Sequence, residues 1–225
     1  MTEVLAALDN DLFLFLHGLY RHEYIDRFML MFTGKWAWLP FYASLAGIII
    51  YKYRNIKALI VIAAIGLLIA VTDQTCASII RPLVARLRPC NPNNPISEFV
   101  TTVQHYRSHS HSLPSCHAAN SMALAVFMTL LTRQKTFSAL IFTWAIIHSL
   151  SRVYLGVHYP GDLLIGWLVG AVGGIVFYYI LFFIRIKGYD VVTTAPWRET
   201  MACNAVLIAT TVVIAITALI LQIKM

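Results

Sequence analysis

The stretch from Ala58 to Ile80, ALIVIAAIGLLIAVTDQTCASII, contains only one charged residue, Asp73. A helix needs roughly 20 apolar residues to cross the hydrocarbon layer of a membrane, and this stretch is long enough. Two other stretches of similar length, from Leu163 to Ile184 and from Thr200 to Ile223, contain no charged residue. These three segments predict transmembrane helices, the last of them an additional helix at the C-terminal end.

Three shorter apolar stretches run from Trp36 to Tyr51, from Ala118 to Leu131 and from Thr136 to Ser151. Each reaches across a membrane if it includes polar residues at its ends, which the interior of a helix bundle tolerates. We therefore predict an all-α fold, a polytopic membrane bundle of about six transmembrane helices. The chain of 225 residues has no linker-like or repetitive segment, so we predict a single domain over residues 1–225.

The composition excludes most soluble classes of protein. The chain is 59% hydrophobic and 12% charged, whereas soluble domains are about 45–50% apolar and about 25% charged. The net charge of +7 does not indicate a nucleic-acid partner, because a basic nucleic-acid-binding protein is not expected to be this apolar. In a membrane protein, the same excess suits basic loops and anionic lipid headgroups or substrates.

The N-terminal segment differs from the predicted spans. Residues from Val4 to Tyr20 are apolar on one side but include Asp9, Asp11 and His17. Such a segment is too charged to cross a bilayer and is typical of a helix that lies in the membrane surface. We predict an interfacial helix within residues 1–21.

Short basic loops follow alternate predicted helices, and such loops mark the cytoplasmic side of a membrane. They hold Lys52, Arg54 and Lys57, then Arg133 and Lys135, then Arg185 and Lys187. We predict an integral protein of a bacterial inner membrane, oriented with these loops in the cytoplasm.

Three polar clusters carry the candidate chemistry. The first is RPLVARLRP from Arg81 to Pro89, and the second is PSCH from Pro114 to His117. The third begins at Ser151 and Arg152 and continues through His158 to Asp162. No predicted span separates the first cluster from the second, and two separate the second from the third. All three therefore lie on one face of the membrane, the non-cytoplasmic one.

The residue types in these clusters indicate a phosphate site. Arg81 and Arg88 are seven residues apart, about two turns if this segment is helical, and guanidinium groups bind phosphate oxygens through paired, planar hydrogen bonds. Ser115 follows a proline and precedes a predicted helix, so it can cap a helix whose N–H groups point at an anion. His117 then lies in the first turn of that helix, next to the anion.

His158 and Asp162 are four residues apart, at the predicted start of another helix. Asp162 can therefore accept a hydrogen bond from one ring nitrogen of His158 and define its tautomer. An oriented, neutral imidazole beside a phosphate held by arginines is a nucleophile.

Together these motifs resemble the signature of the type 2 phosphatidic acid phosphatase superfamily, which includes the vanadium haloperoxidases. That signature is Lys, six residues, Arg-Pro; then Pro-Ser-Gly-His; then Ser-Arg, five residues, His, three residues, Asp. The third part matches fully over Ser151 to Asp162. The first part has Arg81 in place of the lysine, and the second has Cys116 in place of the glycine.

The resemblance implies an all-helical membrane phosphohydrolase whose catalytic motifs span residues 81–162. It implies that His158 attacks phosphorus to form a phosphohistidine, that His117 protonates the leaving oxygen, and that Asp162 supports His158. The groups implied to hold the phosphoryl oxygens are Arg81, Arg88, Ser115, the N–H of Cys116, and Arg152. No metal or other cofactor is implied.

The substrate is predicted to be a membrane lipid phosphate, and the headgroup stays open. Undecaprenyl pyrophosphate, phosphatidylglycerol phosphate, phosphatidic acid and phosphorylated lipid A are the candidates. A haloperoxidase that holds vanadate is disfavoured because those relatives are soluble. A non-enzymatic anion or lipid transporter, with the arginines along its path, is the alternative from another class of protein.

Several other polar residues have weaker signals. We interpret Arg86 and Arg107 as contacts to lipid headgroups, and we expect Asp73 to support the arginine cluster. The histidines of loop 105–111 lack nearby cysteine or carboxylate partners, which favours solvated side chains or substrate steering over a zinc site.

The four cysteines divide into two predicted groups. Cys90 and Cys116 follow two phosphate-site motifs on the non-cytoplasmic face, where a disulfide can persist, so a Cys90–Cys116 bond is a hypothesis. Cys76 and Cys203 lie within predicted spans, and we expect them to be free thiols that pack as small apolar groups.

Overall fold

The computed structural model describes residues 2–18, 21–105, 107–183, 185–186, 189–190 and 197–223. Helices dominate this part of the chain, and a short antiparallel ladder pairs β1 (Arg185–Ile186) with β2 (Tyr189–Asp190). The helices are α1 (Thr2–Gly18), α2 (Glu23–Phe32), α3 (Leu39–Tyr53), α4 (Ile56–Gln74), α5 (Arg81–Val84), α6 (Cys116–Thr132), α7 (Lys135–Tyr154), α8 (Pro160–Phe183) and α9 (Thr200–Ile223).

The predicted membrane bundle is confirmed. Within the described residues, four helices are long and apolar enough to cross a membrane: the continuous helix Ile56–Val84, α7, α8 and α9. The shorter helices α3 and α6 complete a bundle of about six, and a 3-10 turn over Lys35–Trp38 leads directly into α3. Many large apolar side chains on α8 and α9 remain exposed, as expected for surfaces that face lipid tails.

Helix α4 passes into α5 through a π-helical turn, Thr75–Ile80, which no pattern in the sequence predicts. Turns of this kind widen the helix locally and are frequent at functional sites. Here the widened turn immediately precedes Arg81, the first residue of the first motif.

Helix α2 was also not predicted. His22 caps it by accepting a hydrogen bond from the N–H of Tyr24, and Phe32 at its last turn packs edge-on against Trp38. Its apolar residues are interspersed with charged ones, so no long apolar run marks it in the sequence. It packs against α7 and α9, outside the six spans.

The predicted N-terminal helix is present as α1, and residues 1, 19 and 20 of the prediction lie outside the described part. Val4, Leu8 and Phe15 are exposed on one side of α1, whereas Phe13 and His17 on another side are buried. The exposed apolar side supports a location in the membrane surface, which stays a prediction.

Helices α6 and α8 form the most extensive helix pair in the described part of the chain. Gly166, Gly170 and Gly174 follow one another at intervals of four along α8, which places them on one side of that helix. A Cβ atom added at Gly170 would lie 2.2 Å from the carbonyl oxygen of Ala119, so glycine is required for this close approach. The packing brings together the N-terminal ends of α6 and α8, where two of the motifs lie.

Candidate active site

The start of α8 positions His158 and Asp162. The imidazole of His158 is 1% exposed, and its Nδ1 atom donates to Oδ2 of Asp162 over 3.2 Å. This is the contact that the four-residue spacing predicted. Because Nδ1 carries the proton toward the carboxylate, the other ring nitrogen, Nε2, is left as the unprotonated and nucleophilic one.

Three further groups hold the Asp162 residue in place. The N–H of Tyr159 donates to Oδ2 of Asp162 over 2.8 Å, and the hydroxyl of Ser112 donates to the same oxygen. The backbone N–H of Ser115 donates to the carbonyl oxygen of Asp162 over 3.0 Å. The last bond joins the second motif to the third and holds the start of α6 next to the start of α8.

The environment of His158 favours its neutral form. Burial lowers the pKa of His158 to about 4, against the opposing effect of Asp162, and Arg88 and Arg152 lower it further. The imidazole is therefore neutral at physiological pH and able to act as a nucleophile.

The start of α6 places His117 beside the same space. The Ser115 hydroxyl caps α6 by accepting the N–H of Ala118 over 3.5 Å, as predicted. The ring of His117 stacks on that of His148 from α7, with centroids 5.5 Å apart and planes inclined by 19°. His117 thus has a defined orientation at the positive end of the α6 dipole.

Three arginines converge on this place, and each donates a hydrogen bond to a neighbouring segment. Nε of Arg81 donates to the carbonyl oxygen of Pro114 over 3.1 Å, and Nε of Arg88 donates to that of His111 over 3.2 Å. Nη1 of Arg152 donates to the hydroxyl of Thr33 over 3.0 Å. These anchors hold the long side chains in defined positions and so reduce the entropy lost when an anion binds.

A cavity of about 680 Å³ connects these groups. One part of its wall is polar and includes Arg81, Arg88, Cys116, His117, Arg152 and His158. Another part is apolar and is formed by side chains of α3, α4, α6 and α7, among them Leu45, Ile49, Ile65, Ile69, Leu124 and Trp144. The cavity therefore suits an amphiphile whose phosphate meets the arginines while its chains contact the apolar wall.

Comparison with known proteins agrees with this geometry. The family model of the PAP2 superfamily matches residues 56–186, more than half of the chain. The chain belongs to the PAP2 superfamily. A lipid A 4'-phosphatase of Bacteroides thetaiotaomicron is 46% identical over 180 residues, which cover 80% of each chain. A lipid A 4'-phosphatase of Porphyromonas gingivalis is 30% identical over 185 residues, covering 82% of this chain and 78% of that one.

A solved structure shares this fold. The crystal structure of Aquifex aeolicus LpxE superposes with a TM-score of 0.57 at 24% identity, covering 76% of this chain and 95% of that chain. The family membership and the relatives identify this PAP2 protein as a membrane lipid phosphatase. They give no support to the transporter alternative.

The two departures from the PAP2 signature have simple structural accommodations. Arg81 lies directly after the π-helical turn and lines the cavity where the signature has lysine. The Cys116 thiol points toward α4, where its Sγ lies 3.9 Å from the carbonyl oxygen of Asp73. It packs in one small cluster with Cys76 and Ala119, while the backbone of Cys116 forms the start of α6.

The Cys90–Cys116 disulfide hypothesis is wrong. All four cysteines are free thiols, which also confirms the prediction for Cys76 and Cys203. Cys90 packs in a different cluster, with Phe13 and Val100, whereas Cys116 packs against Cys76. The two residues follow motifs of the same site, but their side chains point into separate parts of the protein.

The headgroup interpretation of Arg86 is also wrong. Its Nη1 atom lies 2.6 Å from Oδ2 of Asp9 and 3.4 Å from Oδ1 of Asp162, and its guanidinium lies over the ring of Tyr159. Arg86 is therefore a partly buried residue held by the protein beside Asp162 of the PAP2 site. Arg107 is exposed and donates to the carbonyl oxygen of Ser97 over 3.2 Å, and its contact with lipid stays a prediction.

Asp73 has a different partner from the one expected. Its Oδ1 atom accepts a hydrogen bond from Asn120 of α6 over 3.0 Å. Within the described part of the chain, Asp73 itself forms no ion pair with an arginine. Asp73 thus joins α4 to α6 at the cavity wall. In the same described part, no group of three or more His, Cys, Asp or Glu side chains has an arrangement that could hold a metal.

His148 and Thr33 belong to the PAP2 site but were missed in the sequence analysis. His148 lines the cavity and stacks on His117, and Thr33 bonds Arg152. The spacing of four residues between His148 and Arg152 was an available signal, because it places both on the same side of α7. No sequence pattern pointed to Thr33, which follows the unpredicted helix α2.

Proposed function

We propose that this lipid phosphatase removes the 4'-phosphate of a lipid A-type glycolipid through a phosphohistidine on His158. The observation that carries the reaction is the buried His158, which is oriented by Asp162 and opens onto a cavity with three arginines. Relatives called lipid A 4'-phosphatases, similar over about four-fifths of the chain, support this substrate.

In the first step of the proposed mechanism, Nε2 of His158 attacks phosphorus as the bond from phosphorus to the lipid oxygen breaks. His117 gives its proton to that oxygen, so the lipid leaves as an alcohol. The negative phosphate favours the protonated form of His117 once substrate is bound. The growing positive charge on the His158 ring is balanced by Asp162.

In the second step, water attacks the phosphohistidine while His117, now neutral, accepts a proton from it. The N–P bond breaks, and inorganic phosphate leaves. In both steps Arg81, Arg88 and Arg152 bind the phosphoryl oxygens, where negative charge increases in the transition state. We propose that the N–H of Cys116 contributes a further donor, and that Ser115, whose hydroxyl caps α6, acts by ordering these N–H groups.

We further propose that the protein resides in a bacterial inner membrane with this site on the non-cytoplasmic face, and that residues 1–225 act as one catalytic domain. The short basic turns after α3 and α6 lie at the helix ends opposite the motifs, which supports this orientation. Selective labelling of a cysteine introduced in the exposed loop at Ser110, from outside intact cells, would test it.

Phosphate release from detergent-solubilised protein tests the activity. Lipid A carrying a 4'-phosphate is compared with lipid A carrying only a 1-phosphate, undecaprenyl pyrophosphate, phosphatidylglycerol phosphate and phosphatidic acid. We expect fastest release from the 4'-phosphate and complete loss in His158→Ala, while His109→Ala, in the exposed loop, remains active. Faster release from another member of the panel would replace the proposed substrate, and activity in His158→Ala would overturn the mechanism.

A chelator distinguishes this mechanism from metal-assisted hydrolysis. We expect release to continue in EDTA and to be inhibited by vanadate, which adopts the five-coordinate geometry of the transferring phosphoryl group. Loss of activity in EDTA with recovery on addition of Zn²⁺ or Mg²⁺ would contradict the proposed mechanism.

A further inference from the structure

One face of α1 is directed at the base of the active site. Asp9, Phe13 and His17 are spaced four residues apart and therefore lie on the same side of the helix. Phe13 packs edge-on against the ring of Tyr159, and Nδ1 of His17 lies 3.3 Å from the carbonyl oxygen of Val153. These contacts dock α1 on the segment that joins α7 to α8 and carries His158.

Asp9 makes the polar contacts of this face. Its Oδ1 atom accepts the N–H of Gly161 over 2.8 Å, and its Oδ2 atom lies 2.6 Å from Nη1 of Arg86. A Cβ atom at position 161 would lie 2.6 Å from Oδ2 of Asp9, so glycine is needed for the carboxylate to come this close. Asp9 thus joins the first turn of α8 to Arg86.

Arg86 connects Asp9 with the acidic partner of His158. The same Nη1 atom that bonds Asp9 lies 3.4 Å from Oδ1 of Asp162, while Oδ2 of Asp162 bonds His158. The Arg86 guanidinium lies over the ring of Tyr159, 3.6 Å from its centroid. The order of contacts is therefore Asp9, Arg86, Asp162 and His158.

The charges in this row have a clear consequence. Asp162 is fully buried, and its negative charge must be available to His158 as the ring becomes positive during phosphoryl transfer. If Asp162 were the sole partner of Arg86, the arginine would compete with His158 for the negative charge of Asp162. Asp9 lies closer to Arg86 than Asp162 does, so it balances most of the arginine's charge and leaves that of Asp162 for His158.

We propose that Asp9 and Arg86 are positioning residues of the phosphatase, which act on His158 through Asp162, so that α1 is a part of the catalytic unit. This inference rests on the proposed role of His158. It assigns to the N-terminal helix a function beyond its predicted contact with the membrane.

The test compares Asp9→Asn with Asp11→Asn, which removes the same charge from an exposed position of the same helix. We expect Asp9→Asn to lower kcat on the lipid phosphate about tenfold with little change in KM, and Asp11→Asn to leave both unchanged. Asp9→Asn together with Arg86→Gln is expected to be no slower than Arg86→Gln alone, because Asp9 acts through Arg86.

The protonation state of His158 distinguishes an electrostatic effect of losing Asp9 from undocking of α1. The charged or titratable groups around His158 are Asp162 of α8, Arg88, Arg152 of α7 and His117 of α6. Without Asp9, the unbalanced charge of Arg86 makes His158 harder to protonate, so the protonated fraction at pH 4, measured by ¹⁵N NMR, should fall. Undocking of α1 would instead expose His158 and raise that fraction.

The outcomes are distinct. A tenfold loss with a lower protonated fraction supports the proposal, whereas unchanged kcat, an additive double variant or a higher protonated fraction overturns it. If Asp9→Asn does not fold, Arg86→Lys and Arg86→Gln decide. Glutamine leaves the Asp9 and Asp162 carboxylates without the positive charge that lies between them. Activity kept by lysine and lost by glutamine therefore supports the charge role, and equal activities exclude it. If the wild-type protein releases no phosphate, or if His158→Ala still releases phosphate, the proposed function itself is wrong.

Discussion

Nδ1 of His158 donates to Oδ2 of Asp162 over 3.2 Å, and both side chains are almost completely buried. The carboxylate stabilises the tautomer in which Nε2 is unprotonated, and in the proposed mechanism it compensates the positive ring of the phosphohistidine. We expect Asp162→Asn to lower kcat by about 10²-fold or more, with a smaller change in KM. Steady-state phosphate release measures this, and a KM effect with unchanged kcat would assign Asp162 to substrate binding.

His117 is expected to respond to the leaving group. In the proposed mechanism it protonates the departing lipid oxygen, so His117→Ala should lower the rate on a lipid phosphate by about 10²- to 10⁴-fold. On an aryl phosphate with a nitrophenol leaving group, which leaves readily as an anion, the loss should be at least about tenfold smaller. Equal losses on both substrates would argue against His117 as the general acid.

The pH dependence follows from the lowered pKa of His158. In the proposed mechanism the neutral form of His158 is the nucleophile, so activity is present above this pKa and is lost as the pH falls through it. With a pKa of about 4, His158 should stay neutral from pH 8 to about pH 5, whereas an ordinary histidine is half protonated near pH 6.5. ¹⁵N NMR of labelled histidines in the free enzyme, assigned by comparison with His158→Gln, measures it. A midpoint near 6.5 would mean that His158 is exposed to solvent.

The approach of α8 to α6 should not tolerate a larger residue at Gly170. A methyl group there would lie 2.2 Å from the Ala119 carbonyl oxygen, so Gly170→Ala must separate the two helices at a cost of about 1–3 kcal/mol. Gly66→Ala is the matched control, because nothing lies within 4 Å of an added Cβ at that position. Thermal unfolding in detergent should show a lower Tm for Gly170→Ala alone, and equal stability of the two variants would refute the close packing.

The apolar wall of the cavity is expected to set the preference for long lipid chains. Ala46 of α3 lines the cavity, so Ala46→Trp should fill part of it and lower kcat/KM on a long-chain lipid phosphate by at least about tenfold, the effect of losing two or three methylene contacts. A soluble short-chain phosphate should be affected little. Ala43→Trp, on the exposed side of the same helix, is the control. Equal losses of kcat/KM on both substrates would mean that the lipid chains bind outside this part of the cavity.

Much of this architecture is readable from the sequence because it depends on local patterns. The lengths of the apolar runs predicted the six spans, and α9 begins and ends at the predicted residues Thr200 and Ile223. The four-residue spacing of His158 and Asp162 predicted their hydrogen bond, and Pro114-Ser115 predicted the cap of α6. Such features involve residues close together at the start of one helix, whose geometry a residue spacing already contains.

The tertiary structure decided which distant groups meet. Arg86 lies over Tyr159 between Asp9 and Asp162, Asp73 bonds Asn120, and the Cys116 thiol faces Cys76 instead of Cys90. These pairings depend on the path of the segment between α5 and α6, on the docking of α1, and on how closely α8 approaches α6. Spacing along the chain contains no information about these pairings. A charged group or a thiol can contact several different partners, and the packing of the helices decides which of them lies within reach.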